Sequence, residues 1–365
     1  MANKNLVKPF YDPAKSYDDN FDNGPFGASK VEPYVNQGEP QFSFLGIPLY
    51  APFGIAAGPL LNSRFVKFAL EAGFDVPVYK TQRSIQFPAN QFPNVLYINI
   101  DGDLTLDRAA KPLIGRRSAS KPVKELTITN SFGNPSRGPD FWTTDLKKVR
   151  ACQGKGQLVI GSAVGSIKEG FSSEDYFDDF ALAAEMVTKT GVDVVEINLS
   201  CPNVATEGVL CYTLNSVVAI CQKVRAKIGN KPLVIKLGYF SPEQEPLLVK
   251  VLKEAADYIN AISAINTIPA PVVDESGRQA LPGPNRLSSG ICGHAIKWAG
   301  LDMVSRLAAI RKKLGLKFEI IGVGGVMTPA DFKDYRGAGA DLVQTATGAM
   351  WNPGLAAEIK KSLKV

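Results

Sequence analysis

The chain has 365 residues, of which 45% are hydrophobic and 21% are charged. These proportions argue against disordered, collagen-like and coiled-coil proteins, and the length suits one large α/β domain or two smaller ones. Forty-one Lys and Arg residues against thirty-five Asp and Glu residues leave a formal net charge of +6. Because the basic residues are interspersed with acidic ones, we expect small anionic ligands rather than nucleic acid.

Histidine and cysteine usage restricts the possible chemistry. A Ser-His-Asp triad could be built only around His294, the one histidine, and a metal site with several histidines cannot be built. The five cysteines are odd in number and lack CxxC spacing, which argues against a disulfide framework or a structural zinc and favours a reducing compartment. They are Cys152, Cys201, Cys211, Cys221 and Cys292.

The sequence shows no targeting or membrane segment. Residues 1–10 contain two lysines but no apolar stretch of the kind found in signal peptides. No part of the chain reaches the roughly 20 consecutive apolar residues that a membrane-spanning helix needs. We therefore expect a cytoplasmic protein without a membrane partner.

Residues 1–41 differ in composition from the remainder. They are rich in Asp, Asn, Gly and Pro with isolated aromatic residues, and they show neither helical nor strand periodicity. We expect an extended N-terminal arm that packs on the domain surface, followed by one domain over residues 42–365.

From residue 42 onward, short apolar runs alternate with amphipathic stretches. The predicted strands are 52–56, 75–80, 158–163, 192–198, 233–237, 258–266, 318–323 and 341–347. The predicted helices are 64–72, 173–188, 214–228, 243–256, 295–314, 329–336 and 354–363. Alternation of this kind favours parallel strands, and eight units close into a (β/α)8 TIM barrel, with an open doubly wound sheet as the alternative.

Two connections are too long for simple turns. They are residues 81–157 after strand 2 and residues 267–294 after strand 6. Loops that follow barrel strands lie at the catalytic face, so we expect these insertions to carry or cover the site. The first insertion contains an apolar, strand-like piece at 126–129, immediately before Asn130-Ser131-Phe132-Gly133.

Glycine-rich turns follow the last two strands. Gly322-Val323-Gly324-Gly325 precedes Thr328-Pro329, and Thr345-Ala346-Thr347-Gly348 precedes Asn352-Pro353; in both cases we expect a helix cap followed by the first helical residue. Glycine lets the backbone approach a ligand closely, and this part of a barrel commonly binds phosphate. The alternative is that these glycines only form tight turns.

The fourth strand ends in Asn198-Leu199-Ser200-Cys201-Pro202-Asn203. Carboxamides both donate and accept hydrogen bonds, so Asn198 and Asn203 suit the edge of an imide or ureide ring. Cys201 could act as a nucleophile or as a general acid or base, and the alternative is a small buried hydrophobic side chain.

Lysines end two of the strands, Lys80 and Lys236. A buried lysine is costly unless it meets an anion or an electron-rich ring, which indicates a ligand site, and a Schiff-base lysine is the alternative. Other lysines, such as Lys147-Lys148 and Lys360-Lys361, are expected on solvated faces.

From about Ile47 to the C-terminus, these motifs resemble the dihydroorotate dehydrogenases and the related pyrimidine-reducing flavoproteins. The resemblance is carried by Ala56-Ala57-Gly58, Lys80-Thr81, Asn130-Ser131-Phe132-Gly133, Asn198-Leu199-Ser200-Cys201-Pro202-Asn203, Lys236, Asn266-Thr267, Ser289-Gly290-Ile291-Cys292-Gly293, Gly324-Gly325 and Thr347. It implies FMN as cofactor, dihydroorotate as substrate and orotate as product. The soluble class has cysteine at the position of Cys201, whereas the membrane-associated class has serine there, so the soluble class is favoured.

The resemblance also implies roles for individual residues. Cys201 would be the base that removes the C5 proton while the C6 hydride passes to flavin N5. Substrate contacts would come from Lys80, Asn130, Phe132, Gly133, Asn198, Asn203, Asn266 and Thr267. FMN contacts would come from Ala56, Ala57, Gly58, Lys80, Thr81, Asn130, Asn198, Lys236, Asn266, Gly290, Gly293, Gly324, Gly325, Thr347 and Gly348.

Several alternatives remain open from the sequence. A soluble flavoprotein that acts on dihydrouracil or a related ring without a carboxylate would share most of these motifs. A flavin-free lyase that uses Lys236 as a Schiff base belongs to a different chemical class. We expect a homodimer by default, and the sequence leaves the terminal electron acceptor open.

Overall fold

The computed structural model describes residues 9–200 and 210–363 and contains a closed barrel of eight parallel strands. The strands are β1 Phe53–Ile55, β2 Val76–Gln82, β3 Ile160–Ala163, β4 Val194–Asn198, β5 Leu233–Leu237, β6 Ala261–Ala264, β7 Glu319–Val323 and β8 Leu342–Thr345. Neighbouring strands pair in chain order, and β8 pairs with β1 to close the ring. The predicted (β/α)8 barrel is confirmed, and each predicted strand overlaps an observed one.

A helix follows each barrel strand. They are α1 Ser63–Glu71, α2 Pro139–Arg150, α3 Ser173–Thr188, α4 Leu214–Ile228, α5 Glu245–Ala255, α6 Lys297–Leu314, α7 Pro329–Gly337 and α8 Leu355–Leu363. Seven of these were predicted, and α2 was not, because it lies inside the stretch treated as one long insertion. The sequence did contain a signal for the start of α2, because proline is common in the first turn of a helix and Pro139 stands there. Gly138, which directly precedes it, has φ +91°.

Capping side chains fix where several helices begin. At α7, the Thr328 hydroxyl accepts from the Asp331 backbone N–H, and the Asp331 carboxylate accepts from the Thr328 backbone N–H, as the sequence predicts. The matching prediction for Asn352-Pro353 is wrong. Asn352 instead ends a short helix, Thr347–Trp351, and α8 begins at Leu355.

The barrel interior changes from apolar to polar along its length. A hairpin of strands Phe42–Phe44 and Ile47–Leu49 closes the lower end, where Phe44 and Leu49 pack against the lower barrel side chains. Towards the carboxyl ends of the strands, buried polar side chains replace aliphatic ones: Ser162, Glu196, Lys236, Ser263 and Gln344. A sealed lower end and a polar upper end place the site at the upper end.

The two long insertions form one cap. Its five strands are Tyr97–Ile98, Leu113–Arg116, Thr127–Asn130, Ile268–Val273 and Ser288–Gly293. Strand Ser288–Gly293 of the second insertion pairs antiparallel with Thr127–Asn130 of the first, with Gly290 opposite Asn130. The predicted strand-like piece at 126–129 therefore links the two insertions over the barrel mouth.

The N-terminal arm is more ordered than its composition suggests. It contains a helix, Tyr17–Asn23, whose Ser16 cap accepts from the Asp19 backbone N–H. Phe10 and Tyr11 are buried, and the Phe10 N–H donates to the Met350 carbonyl. Residues of the arm thus pack on the barrel, and Tyr11 also reaches a cavity, as described below.

The expectation that Lys360 lies on a solvated face is wrong. Its side chain is only 4% exposed and donates to Asp75, so it does not lie on a solvated face, whereas Lys361 does. Within the described residues, no helix is long and apolar enough to span a membrane. The same part of the chain holds no cluster of three or more His, Cys, Asp or Glu side chains suited to a metal ion.

Candidate active site

Two adjoining chambers lie between the barrel mouth and the cap. The first has a volume of about 700 Å³ and a mostly apolar wall. The second has a volume of about 1000 Å³ and a mostly polar wall. The two chambers are continuous, because they share several wall residues: Ala57, Gly58, Asn130, Phe132 and Asn266.

The first chamber gathers residues from turns after β1, β6, β7 and β8. Among the predicted cofactor residues, those in its wall are Ala56, Ala57, Gly58, Asn130, Lys236, Asn266, Gly293, Gly324, Gly325, Thr347 and Gly348. The other predicted cofactor residues, Lys80, Thr81, Asn198 and Gly290, line the second chamber. The sequence pattern therefore identified residues that the fold brings together, while the division between chambers follows from the structure.

Two glycines in the turns of the first chamber, Gly325 and Gly348, leave no room for a side chain. Gly325 has φ +67°, and a Cβ there would lie 2.8 Å from the Lys297 backbone nitrogen and 2.9 Å from the Gly293 carbonyl oxygen. A Cβ on Gly348 would lie 2.3 Å from the Val326 carbonyl oxygen, to which Thr345 Oγ1 also donates. The two turns are packed against each other and present backbone to the chamber.

Lys236 projects from β5 into the first chamber. It is 3% exposed, and its ammonium donates no hydrogen bond to any described residue. Burial lowers the pKa of Lys236, whereas nearby Glu196 and Cys292 act in the opposite direction. A buried ammonium without a hydrogen-bond acceptor is costly, so this position suits an electron-rich ligand.

Glu196 lies below Lys236 inside the barrel and is fully buried. One carboxylate oxygen accepts from Ser162 Oγ at 2.9 Å, and Ser162 Oγ in turn lies 3.0 Å from Thr81 Oγ1. The other oxygen has no partner among the described residues. Burial raises the pKa of Glu196, and the positive charge of Lys236 opposes that shift.

The second chamber combines carboxamides with positive charge. Its carboxamides are Asn90, Asn130, Asn134, Asn198, Asn266 and Asn285. Lys80 and Arg286 also line it, and no Asp or Glu within the described residues does. Such a wall suits an anion that also offers hydrogen-bond donors and acceptors along a planar edge.

Neighbouring groups hold the chamber's side chains in place. The Lys80 ammonium lies 5.7 Å from the centroid of the Phe132 ring, which Tyr11 contacts edge-on at 5.4 Å. Asn198 Oδ1 accepts from both the backbone N–H and the hydroxyl of Ser200, and Asn266 Nδ2 donates to the Ser200 carbonyl. Thus β2, β4, β6 and the cap meet at one place.

Comparisons with known proteins agree with this architecture. A family model described as dihydroorotate dehydrogenase matches residues 117–365. A dihydroorotate dehydrogenase of Dictyostelium discoideum is 38% identical over 361 residues, which cover 96% of each protein. The chain belongs to the dihydroorotate dehydrogenase family. It is accordingly an oxidoreductase.

Two further similarities are informative. The catalytic subunit of an NAD(+)-dependent dihydroorotate dehydrogenase B of Petrotoga mobilis is 31% identical over 238 residues, covering 65% of this chain and 72% of that protein. A crystal structure of the Eimeria tenella dihydroorotate dehydrogenase with ferulenol has a TM-score of 0.69 and 19% identity, covering 92% of this chain and 87% of that one. The structural similarity supports the barrel fold.

Two predicted site residues of this dihydroorotate dehydrogenase family member, Cys201 and Asn203, lie outside the described residues. The described chain reaches Ser200 beside Asn198 and resumes at Leu210. The role of Cys201 therefore stays a prediction. Cys211 and Cys221 are fully buried, and burial raises the pKa of each thiol to about 12, so both thiols stay protonated at neutral pH and cannot accept a proton.

The structure adds residues that the sequence pattern did not identify. Tyr11, Val95, Cys292 and Met350 line the first chamber, and Arg286 lines the second. Tyr11 and Arg286 come from segments without periodicity, so their placement depends on contacts far along the chain. Cys292 had a signal, because it lies within the predicted glycine turn 289–293.

Proposed function

We propose that this protein oxidises dihydroorotate to orotate with bound FMN, in pyrimidine biosynthesis. The observation that carries the proposal is the second chamber, which has two buried cations, six carboxamides and no carboxylate among the described residues, and opens onto the glycine-lined first chamber. The relatives described above, which are dihydroorotate dehydrogenases, support the same substrate.

The residues of the first chamber fit FMN. The N–H groups of Gly324 and Gly325 form no hydrogen bond with any described residue, and a Cβ at Gly325 or Gly348 would collide with neighbouring backbone atoms, so these positions require glycine. These turns would hold the single phosphate, while Lys236 would offset the negative charge that the flavin gains on reduction. Bound FMN would supply a hydride acceptor, its N5 atom, for the hydrogen at C6 of the substrate ring.

The residues of the second chamber fit a carboxylated dihydropyrimidine. Lys80 and the backbone N–H groups of Phe132 and Gly133 would bind the carboxylate. Asn130, Asn198, Asn203, Asn266 and Thr267 would bind the amide edges of the ring, since a carboxamide can match both a carbonyl and an N–H. A carboxylate would be attracted by the buried charge of Arg286, whereas a neutral ring would not.

Cys201 would remove the proton from C5, which the adjacent carbonyl makes acidic. The chain places it one residue after Ser200, whose N–H and hydroxyl donate to Asn198. The proposed thiol base, Cys201, is thus close in sequence to Asn198, the carboxamide that would orient the ring.

The test begins with the purified, unmodified protein. We expect it to be yellow, to release FMN rather than FAD on denaturation, and to show a larger change in flavin absorbance with orotate than with uracil. Lys80→Ala should weaken orotate binding more than uracil binding, because only orotate carries the carboxylate. Equal affinity of the unmodified protein for orotate and uracil would instead favour an uncarboxylated dihydropyrimidine as substrate.

A further inference from the structure

Arg286 is a buried cation in the wall of the second chamber that the sequence pattern gave no reason to select. It lies in the second insertion between Asn285 and Leu287, and it is 5% exposed. No ion pair links it to a described acidic residue, and burial is the cause that lowers its pKa. Because a guanidinium stays protonated in proteins, a full positive charge is buried here.

The guanidinium donates only to neutral acceptors. Nε donates to Ser131 Oγ at 3.1 Å, and Nη2 donates to the Ser131 carbonyl at 3.2 Å and to the Pro93 carbonyl at 2.8 Å. Nη1 donates to the Gln91 carbonyl at 2.7 Å and to the Pro282 carbonyl at 2.5 Å. These contacts satisfy the N–H groups but provide no counter-ion for the charge among the described residues.

The same contacts hold the two insertions together at the substrate loop. Ser131 follows Asn130 and precedes Phe132, and Gln91 and Pro93 belong to the same insertion, whereas Arg286 belongs to the other. Asn94 Nδ2 also donates to the Ser131 carbonyl, so this peptide group is fixed from two sides. Lysine could not replace these contacts, because its ammonium has three donors on one atom, whereas the guanidinium has five in a planar fork.

The charged residues that line the second chamber favour an anionic ligand. Lys80 and Arg286 line one chamber, and no carboxylate within the described residues lines it with them. Two cations in a partly desolvated chamber repel each other and attract an anion more strongly than they would in water. The buried charge of Arg286, which no described carboxylate in the chamber wall neutralises, would therefore attract a ligand with one negative charge.

We infer that Arg286 is a positioning and specificity residue for the substrate: it holds the Asn130-Ser131-Phe132-Gly133 loop in its binding geometry, and its buried charge makes the chamber select a ring that carries a carboxylate. This inference rests on the proposed function and deepens it. The two roles of Arg286 can be separated by experiment. Its hydrogen bonds should affect the affinity for every ring ligand, whereas its charge should affect the affinity only for an anionic one.

The test compares Arg286→Gln and Arg286→Lys in the FMN-loaded protein. Dissociation constants for orotate and uracil are measured from flavin absorbance at low and moderate ionic strength. Arg286→Gln, which loses the charge, should weaken orotate binding by about tenfold or more and uracil binding clearly less, and it should reduce the salt dependence of orotate binding. Arg286→Lys, which keeps the charge, should weaken the binding of orotate and of uracil by a similar factor.

Arg278→Gln is the matched control, because Arg278 lies in the same insertion with its side chain 81% exposed and paired with Asp274. It should leave both affinities unchanged. The inference would be overturned, while the proposed function stands, by either of two results. One is an equal loss of affinity for orotate and uracil in Arg286→Gln, and the other is a lost preference for orotate in Arg286→Lys. If the unmodified protein does not prefer orotate, the proposed function fails first.

Discussion

The ammonium of Lys236 and the carboxylate of Glu196 lie on adjacent strands within the upper barrel, and both side chains are almost fully buried. They do not form an ion pair; one Glu196 oxygen has no hydrogen-bond partner among the described residues, and Lys236 lines the first chamber. Buried charges in this condition are costly unless a ligand completes the arrangement. Such residues indicate function more strongly than sequence motifs do, because packing alone does not favour them.

We predict that Lys236→Ala weakens FMN binding by about 10- to 100-fold, the usual cost of losing one charge-assisted hydrogen bond. FMN fluorescence during titration of the apoprotein measures the dissociation constant. Lys361→Ala is the control, since Lys361 is exposed and lies outside both chambers. Similar affinities in the two variants would mean that Lys236 does not contact the flavin.

A second prediction at this scale concerns Cys201. A thiol of pKa about 8.5 is mostly protonated at neutral pH, so flavin reduction by dihydroorotate should accelerate as pH rises through the pKa of this thiol. Cys201→Ser should slow the reduction by about 10²- to 10⁴-fold without changing FMN content, because a hydroxyl is much harder to deprotonate. Stopped-flow absorbance across pH measures the rate.

Cys211→Ala serves as the control for that experiment. Cys211 is fully buried, and burial raises the pKa of its thiol to about 12. Its replacement should therefore leave the pH profile unchanged. An unaltered rate and pH profile in Cys201→Ser would show that another residue is the base.

Among the elements, the turn between β7 and α7 depends most directly on glycine. Gly325→Ala would place a Cβ against backbone atoms of Lys297 and Gly293 at a positive φ. We predict that it loses most of its bound FMN and unfolds at a lower denaturant concentration, since backbone strain of this kind costs roughly 1–3 kcal/mol. Absorbance of the purified protein and chemical denaturation measure the two effects.

Gly315→Ala separates backbone strain from the ligand site. Gly315 ends α6 at φ +66°, almost the φ of Gly325, but nothing lies within 4 Å of its Cβ position. It should lower stability without changing FMN content. A loss of FMN in both variants would show that cofactor retention reports general stability.

The elements differ in how far the sequence predicts them. Barrel strands were predictable because each apolar run is short, buried and followed by an amphipathic helix. Helix α2 was not, although Trp142, Leu146 and Val149 form a buried face, because a long non-barrel segment precedes it. Asn352 shows the opposite error: the local pattern Asn-Pro resembles a helix start, yet Asn352 caps the end of the preceding short helix.

At the scale of the whole molecule, the site depends on contacts that no local pattern contains. The pairing of Gly290 with Asn130 joins the two insertions, and Phe132 packs against Tyr11 from the arm. The motifs therefore predicted which residues lie at the barrel mouth, because the carboxyl ends of all eight strands meet there. They could not predict Tyr11 or Arg286, whose positions depend on how the arm and the cap pack.

The lower end of the molecule depends on a buried ion pair between the last helix and the start of β2. Lys360 donates to Asp75 at 2.7 Å and to Asn36, and the Ala51 backbone N–H also donates to Asp75. Both charged side chains are at most 4% exposed. Burial is the largest influence on Asp75 and raises the pKa of its carboxyl from 3.8 to about 6, although Lys360 opposes this shift.

The sign of the pH dependence follows from that shift. Because Asp75 binds its proton more tightly in the folded state, its contribution to stability is present below pH 3.8 and is lost as pH rises through about 6. At pH 7 the carboxylate is therefore ionised and depends on Lys360. We predict that Lys360→Met lowers the free energy of unfolding at pH 7 by about 3–5 kcal/mol, the usual cost of leaving one buried charge unpaired.

The loss of unfolding free energy in Lys360→Met should be smaller at pH 5, where Asp75 can take up a proton in place of its lost partner. Urea denaturation of Lys360→Met at both pH values measures the difference, and Lys361→Met, which changes an exposed neighbour, should remain within about 0.5 kcal/mol of the unmodified protein. Adding Asp75→Asn to Lys360→Met should recover part of the stability at pH 7, because it removes the unpaired charge. Equal losses at both pH values would mean that Lys360 stabilises the helix through its packing on Tyr34 and Tyr50 rather than through its charge.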